Sequence, residues 1–170
     1  MLADSLLTRL RDALGDDRVL TSDEDVADRR HDYWVLSHLQ AWRGTFDDRP
    51  GAVVRPRSTA DVQAVVRLAA ETGTAVVPFG LGSGVCGGIR PDQGMLLADL
   101  SSMDRIRNID DVNLVASFDA GVNGLVAEEA VAERGLTIGH WPQSIALSTV
   151  GGCVLRTKAA SSSEGGICVG

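Results

Sequence analysis

Val76-Val77-Pro78-Phe79-Gly80-Leu81-Gly82-Ser83-Gly84-Val85-Cys86-Gly87-Gly88 is a short apolar run that passes directly into a glycine-dense loop. Glycine permits positive φ and has no Cβ to hold a ligand away, so successive backbone N–H groups can converge on one anion, with the Ser83 hydroxyl as a further donor. The charge pattern agrees. The chain carries a formal charge of −7, yet from Thr72 to Pro91 it contains no Asp or Glu, so the loop's own sequence brings nothing that repels a pyrophosphate. A set of tight surface turns is the alternative that a glycine cluster leaves open.

Gly82-Ser83-Gly84-Val85-Cys86-Gly87 matches the letters G-x-G-x-x-G after a strand, but a dinucleotide-binding loop of that type must open a helix facing the pyrophosphate. Gly88, Pro91 and Gly94 follow and forbid one. No P-loop pattern occurs either, since no glycine of the stretch precedes a lysine and a hydroxyl residue. The loop therefore offers backbone donors without a helix dipole, which implies a different nucleotide-binding architecture.

Working outward, Ala52-Val53-Val54 reads as a short strand stopped by Arg55-Pro56. Ser58 with Asp61 three residues later opens a helix in the manner of a capping box, its apolar positions being Val62, Val65, Val66 and Ala69. Gly73 ends that helix, and Ala75-Val76-Val77 delivers the chain to the loop, which completes a strand, helix, strand unit. Beyond the loop, Met95 to Leu100 reads as a buried strand, and Asn113 to Phe118 as a strand with Leu114, Ala116 and Phe118 on one face. Asn123 to Arg134 follows as a helix ended by Gly135. Before Pro50, residues 3–14 place Leu6, Leu7, Leu10 and Leu14 at helical spacing. Thr21 or Ser22 caps an acidic turn, and Tyr33, Trp34 and Trp42 read as packing residues. Residues 1–50 are thus expected to be an N-terminal helical extension packed on the domain, in an α+β or mixed α/β fold.

Leu136 to Gly152 is a second candidate ligand segment. From Arg134 to Ser163 there is again no carboxylate, while Ser144, Ser148, Thr149 and the Gly151-Gly152 pair supply hydroxyls and approachable amides. Two acid-free, glycine-bearing stretches in one acidic chain are expected to form two walls of one anionic site. Composition excludes other classes. The acidic balance and the lack of a basic stripe argue against nucleic acid, and no apolar run reaches the roughly 20 residues of a membrane span. Charged residues interrupt the first leucines, so no signal peptide is expected and the protein reads as cytoplasmic. Cys86, Cys153 and Cys168 lack a C-x-x-C pair and read as reduced thiols, and His31, His38 and His140 lack metal-ligand spacing, so no metal site is expected.

The order of these motifs resembles the FAD-binding domain of the vanillyl-alcohol-oxidase family of flavoproteins. It rests on Pro50 to Pro56, Pro78 to Gly88, Leu97-Ala98-Asp99-Leu100-Ser101, Ala120-Gly121-Val122, and Gly139-His140-Trp141-Pro142-Gln143-Ser144 through Ser148-Thr149-Val150-Gly151-Gly152. Within that family the tail of the last motif looks most like the alkyldihydroxyacetonephosphate synthase branch, with glycolate or D-lactate dehydrogenase-like members as the alternative. The resemblance implies a PCMH-type fold of two α/β subdomains that sandwich an extended FAD. Residues 51–155 would be the FAD-binding domain, its second subdomain incomplete. Pro78, Gly80, Gly82, Ser83, Gly84 and Val85 match the positions that wrap the pyrophosphate, and Pro142, Ser144, Ser148, Thr149, Gly151 and Gly152 those that line the flavin and ribityl side. Covalent members bond the flavin to a loop histidine. None stands here, so non-covalent FAD is expected, and Cys86 is expected to play a small buried apolar role.

Leu81 replaces a usual loop glycine, and residues 156–170 blur the family's continuation, which reads as an aberrant or truncated tail. The family's acid/base residues lie in the part lacking here, so no catalytic residue is assigned. Three functions remain open at this point: the FAD-binding part of a synthase-like or oxidase-like enzyme; a nucleotide-binding module completed by a separately encoded cap or substrate domain; and an inactive fragment.

Overall fold

A computed structural model describes residues 1–156 in two compact units, one spanning Met1–Ser102 and a second beginning at Met103. Cys168 and most of the expected aberrant tail lie outside the described residues. In the first unit, helices α1 (Asp4–Leu14), α2 (Asp23–Val26), α3 (Val35–Trp42) and α4 (Thr59–Thr72) surround a sheet built from β1 (Val19–Leu20), β2 (Ala52–Val54), β3 (Val76–Phe79) and β4 (Leu96–Asp99). The strand order is β1-β2-β4-β3. Strand β4 runs parallel to both β2 and β3, so the β2-α4-β3 unit is split and its gap is filled by the next strand in sequence.

Register decides which side chains face which layer. Val53 is opposite Leu97, and Ala52 and Val54 are opposite Leu96 and Ala98. Side chains alternate across a strand, so Ala52, Val54, Leu96 and Ala98 join Leu6, Leu10, Leu14, Val65, Leu68 and Ala69 of α1 and α4 on one face. Val53 and Leu97 meet Val26 and Phe79 on the other. Both faces being covered explains why β2 and β4 read as continuous apolar runs. The first fifty residues contribute an edge strand, since β1 pairs antiparallel with β2.

Ser58 accepts from the Asp61 N–H and caps α4. The Asp61 carboxylate in turn takes the Arg57 N–H and an ion pair from Arg18 at 2.7 Å. Burial raises the Asp61 carboxyl, but the Arg57 amide and the Arg18 guanidinium outweigh it and hold it below the usual carboxylate range. Replacing the cap, Ser58→Ala, is expected to cost about 1 kcal/mol in a urea unfolding measurement. The apolar face of α4 is turned from the one the spacing predicts. Leu68 is buried and Val66 is exposed, because the contact stripe runs through Val65, Leu68 and Ala69 toward α1.

The second unit opens with an antiparallel hairpin, β5 (Ile106–Asp110) and β6 (Val115–Phe118), followed by α5 (Gly124–Ala132) and α6 (Val150–Arg156). Its core gathers Ala116, Phe118, Val122, Ala127, Val131 and Val150. Asn123 caps α5 by accepting from the Leu125 and Val126 N–H groups. Leu114, expected on the inner face of a strand, is instead exposed in the hairpin turn at φ 57. Asp110 forms that turn by accepting from the Val112 and Asn113 amides, so the strand starts two residues later than expected, at Val115.

Candidate functional site

Strand β3 is the free edge of its sheet, which is why it tolerates Pro78. It ends at Phe79, whose buried ring anchors the exit into the glycine loop. The loop does not open a helix, and the next regular element is β4. Pro78 is exposed, Gly80, Ser83 and Gly84 are half-buried, Gly82 is buried and Val85 is exposed. Gly82 has φ +67, and a Cβ there would stand 3.1 Å from the Phe79 ring. Among the described residues, no backbone-to-backbone hydrogen bond uses the N–H of Gly80, Leu81, Gly82, Gly84 or Val85.

The loop is fastened by a segment that lies far away in sequence. The Tyr33 N–H donates to the Gly82 carbonyl at 3.2 Å. Asp32, with only 3% of its surface exposed, accepts the Trp34 N–H on one carboxylate oxygen at 3.0 Å and the Gly88 N–H on the other at 2.9 Å. Trp34 packs its ring on Gly87, and the Arg90 guanidinium lies 5.8 Å above that ring. A carboxylate thus reaches a loop whose own sequence has none, and both of its oxygens accept amide N–H groups. Sequence reasoning missed Asp32, since its only local signal was the polar turn before Tyr33-Trp34.

Two sequence readings need correction here. Cys86 is exposed rather than buried, because the loop turns over Trp34 between Val85 and Gly87 and directs residue 86 away from the core. Tyr33 and Trp42, read as packing residues, are exposed at 54% and 83%, whereas Trp34 packs against Gly87 of the loop. Among the described residues no cluster of His, Cys, Asp or Glu could hold a metal ion.

In the second unit, the segment from Leu136 to Gly152 is likewise held by a framework carboxylate. Glu128 of α5 is buried and accepts the Thr137 hydroxyl and the Ile138 N–H. Thr137 then accepts the Gly139 N–H at 3.0 Å, which fixes the entry to His140-Trp141-Pro142. Pro142 and Ser144 are half-buried, and the Ser144 and Ser148 hydroxyls lie 2.9 Å apart. Ser148 and Thr149 are buried. The Asn123 side chain donates to the Ala146 carbonyl, and the Gly124 N–H to the Ser148 carbonyl. Gly151 and Gly152 are half-buried in the first turn of α6. Gly151 donates to the Ala120 carbonyl at 2.9 Å, and Gly152 to the Thr149 hydroxyl at 3.2 Å. A Cβ on Gly151 would stand 2.9 Å from that same Ala120 oxygen, so only glycine fits there. Replacing Glu128 by alanine is expected to leave α5 formed and to speed amide exchange at Ile138 and Gly139 by at least about tenfold, the loss expected for hydrogen bonds to a charged acceptor.

Residues 50–168 match the FAD binding domain family. Alkyldihydroxyacetonephosphate synthase of Trypanosoma brucei brucei is 35% identical over 127 residues, covering 72% of this chain and 21% of that protein. Glycolate oxidase subunit GlcD of Bacillus subtilis (strain 168) is 35% identical over 107 residues, covering 63% of this chain and 23% of that protein. The chain therefore spans about a fifth of the length of these two curated relatives. A solved alkyldihydroxyacetonephosphate synthase superposes with a TM-score of 0.80 at 23% identity, over 89% of this chain and 30% of that one, a likeness of fold. The expected PCMH-type architecture is in agreement, with a p-cresol methylhydroxylase structure superposing at a TM-score of 0.73. With the glycine loop and the Gly139–Gly152 segment both inside the matched span, the chain belongs to the FAD binding domain family and its cofactor is FAD.

Proposed function

We propose that the chain holds FAD non-covalently as the cofactor-binding portion of an enzyme related to alkyldihydroxyacetonephosphate synthase, an ether-lipid-forming activity carried out in the cytoplasm. The observation that carries this reading is the loop after β3, where consecutive amides lie outside the backbone hydrogen-bond network and Gly82 keeps a left-handed conformation packed on the Phe79 ring. The donor set fits a diphosphate. Gly80, Gly82, Gly84 and Val85 supply N–H groups, with Ser83 placed among them, and Pro78 directs the chain into them. In the second unit we assign Pro142, Ser144, Ser148, Thr149, Gly151 and Gly152 to the flavin and its ribityl chain, their hydroxyls matching ribityl hydroxyl groups. No histidine lies between Phe79 and Gly88 to bond the flavin.

When bound, FAD supplies an acceptor for an electron pair, and the protein's part is to orient it and tune its surroundings. The residues of this chain bind and position. Substrate selection and proton transfer belong to a cap or substrate domain, which we assign to a separate chain or to sequence beyond this one. A second reading, a 2-hydroxy-acid dehydrogenase-like part, is favoured by the likeness to the glycolate oxidase subunit, whose identity equals that of the synthase.

An absorbance spectrum and an FAD titration of the purified chain test the proposal. Flavin bands that return to the supernatant after acid precipitation are the expected result. A colourless chain whose titration shows no saturable change would overturn it, and flavin retained in the precipitate would overturn the non-covalent assignment alone.

A further inference from the structure

Asp32 lies outside the family match at residues 50–168, yet it holds the loop to which the diphosphate is assigned. We infer that Asp32 is a positioning residue for FAD, setting the shape of the glycine loop without touching the cofactor. The inference rests on the reading of that loop as a diphosphate cradle. The geometry is specific. An ionised carboxylate is an acceptor with two oxygens, and Asp32 spends one on its own turn, at the Trp34 N–H, and the other on Gly88, 56 positions along the chain.

The Tyr33 N–H, between those two bonds in sequence, takes the Gly82 carbonyl. Residues 32–34 therefore grip the loop near both of its ends, at Gly82 and at Gly88. Turning the Gly82 carbonyl toward Tyr33 leaves that oxygen unable to face an anion. The Gly88 amide, satisfied by Asp32, is removed from the set that could reach the ligand, which leaves the amides of Gly80, Gly82, Gly84 and Val85 as the binding face. The Trp34 ring against Gly87 supports this span from below, and Arg90 above the ring places positive charge beside the buried carboxylate.

A residue acting this way has a signature that a general stabiliser lacks. Three variants are compared with the unaltered chain: Asp32→Ala, which removes both acceptors; Asp32→Asn, which keeps one oxygen and turns an NH2 toward the other donor; and Val65→Ala, a core truncation remote from the loop. FAD affinity is read by flavin fluorescence, and residue-level amide exchange is followed at Trp34 and from Gly82 to Gly88. Asp32→Ala is expected to weaken FAD binding by about tenfold or more and to speed exchange at Gly88 and Trp34, the two amides that donate to the carboxylate, as for loss of hydrogen bonds to a charged acceptor. Asp32→Asn is expected to fall between it and the unaltered chain, and carries the test alone if the alanine variant does not fold. Val65→Ala is expected to lower the unfolding midpoint while leaving FAD affinity unaltered.

Equal FAD affinity in the unaltered chain and both Asp32 variants overturns the inference and leaves the FAD reading standing. So does a loss of affinity in Val65→Ala as large as that in Asp32→Ala, which would make Asp32 a general stabiliser. Failure of the unaltered chain to bind FAD overturns the reading of the loop, and the inference with it.

Discussion

Gly87→Ala is expected to reduce FAD affinity by about tenfold or more and to destabilise the first unit by about 2–5 kcal/mol, two costs with separate origins. Gly87 has φ +71, a left-handed conformation that a residue with a Cβ adopts at about 1–2 kcal/mol. The added carbon would also stand 2.6 Å from the Trp34 ring, which has to move, and forced repacking of that kind costs about 1–3 kcal/mol. A displaced Trp34 draws its backbone away from Asp32 and Gly82, so the damage passes to the amides of the loop. Gly73→Ala is the matched comparison. Gly73 ends α4 at φ +65 with nothing within 4 Å of the new carbon, so it carries the conformational cost alone. Urea unfolding together with a flavin titration of both variants separates the terms. Gly73→Ala is expected to lose about 1–2 kcal/mol with unaltered FAD binding. Equal effects in the two variants would show that backbone conformation, and not the Trp34 contact, makes Gly87 necessary.

The parts of this fold legible in the sequence are those whose causes are local. The Ser58 and Asn123 caps, the end of α4 at Gly73 and the buried runs at Ala52–Val54 and Leu96–Asp99 each follow from a few adjacent residues. The glycine loop was also legible, including its failure to open a helix, because glycine and proline act on their own backbone. What escaped depends on distant partners. Strand β1 is two residues long and exists through pairing with Val53 and Val54. Strand β5 reads Ile-Arg-Asn-Ile-Asp, and a bulge between Ile106 and Asn108 breaks the alternation that would have marked it. Asp32 and Glu128 share this property. Each of the two acid-free stretches is acid-free only along the chain, and each is fastened in space by a buried carboxylate contributed from another element. The absence of acids from the loops left their amides free of local competitors, and the framework then supplied acceptors at chosen points.

Asp119→Asn is expected to lower the stability of the second unit near neutral pH and to have little effect in acid. The Asp119 side chain, 2% exposed at the end of β6, accepts from Arg105 at 3.2 Å and from Arg107, both on the β5 side of the hairpin. Burial raises its carboxyl, but the hydrogen bonds and charges of Arg107 and Arg105 outweigh burial and hold it below the usual carboxylate range. A carboxyl lowered by folding binds more protons in the unfolded chain, so its contribution is complete above the unfolded value of about 3.9 and disappears as pH falls through the folded value. The two arginines are exposed at 68% and 49% and can rehydrate when the acid is neutralised. The loss near pH 7 is therefore set by the hydrogen bonds to the charged acceptor, about 2 kcal/mol, and not by the larger figure for a stranded buried charge. Urea unfolding followed at the β6 amides, at pH 7 and again near pH 3, distinguishes the causes. A gap between the two proteins that narrows in acid assigns the effect to the carboxylate charge, since the protonated acid and the amide then resemble each other. A gap of the same size at both pH values would assign it to packing around Asp119 and would remove the arginine pair from the account of how β5 is held to β6.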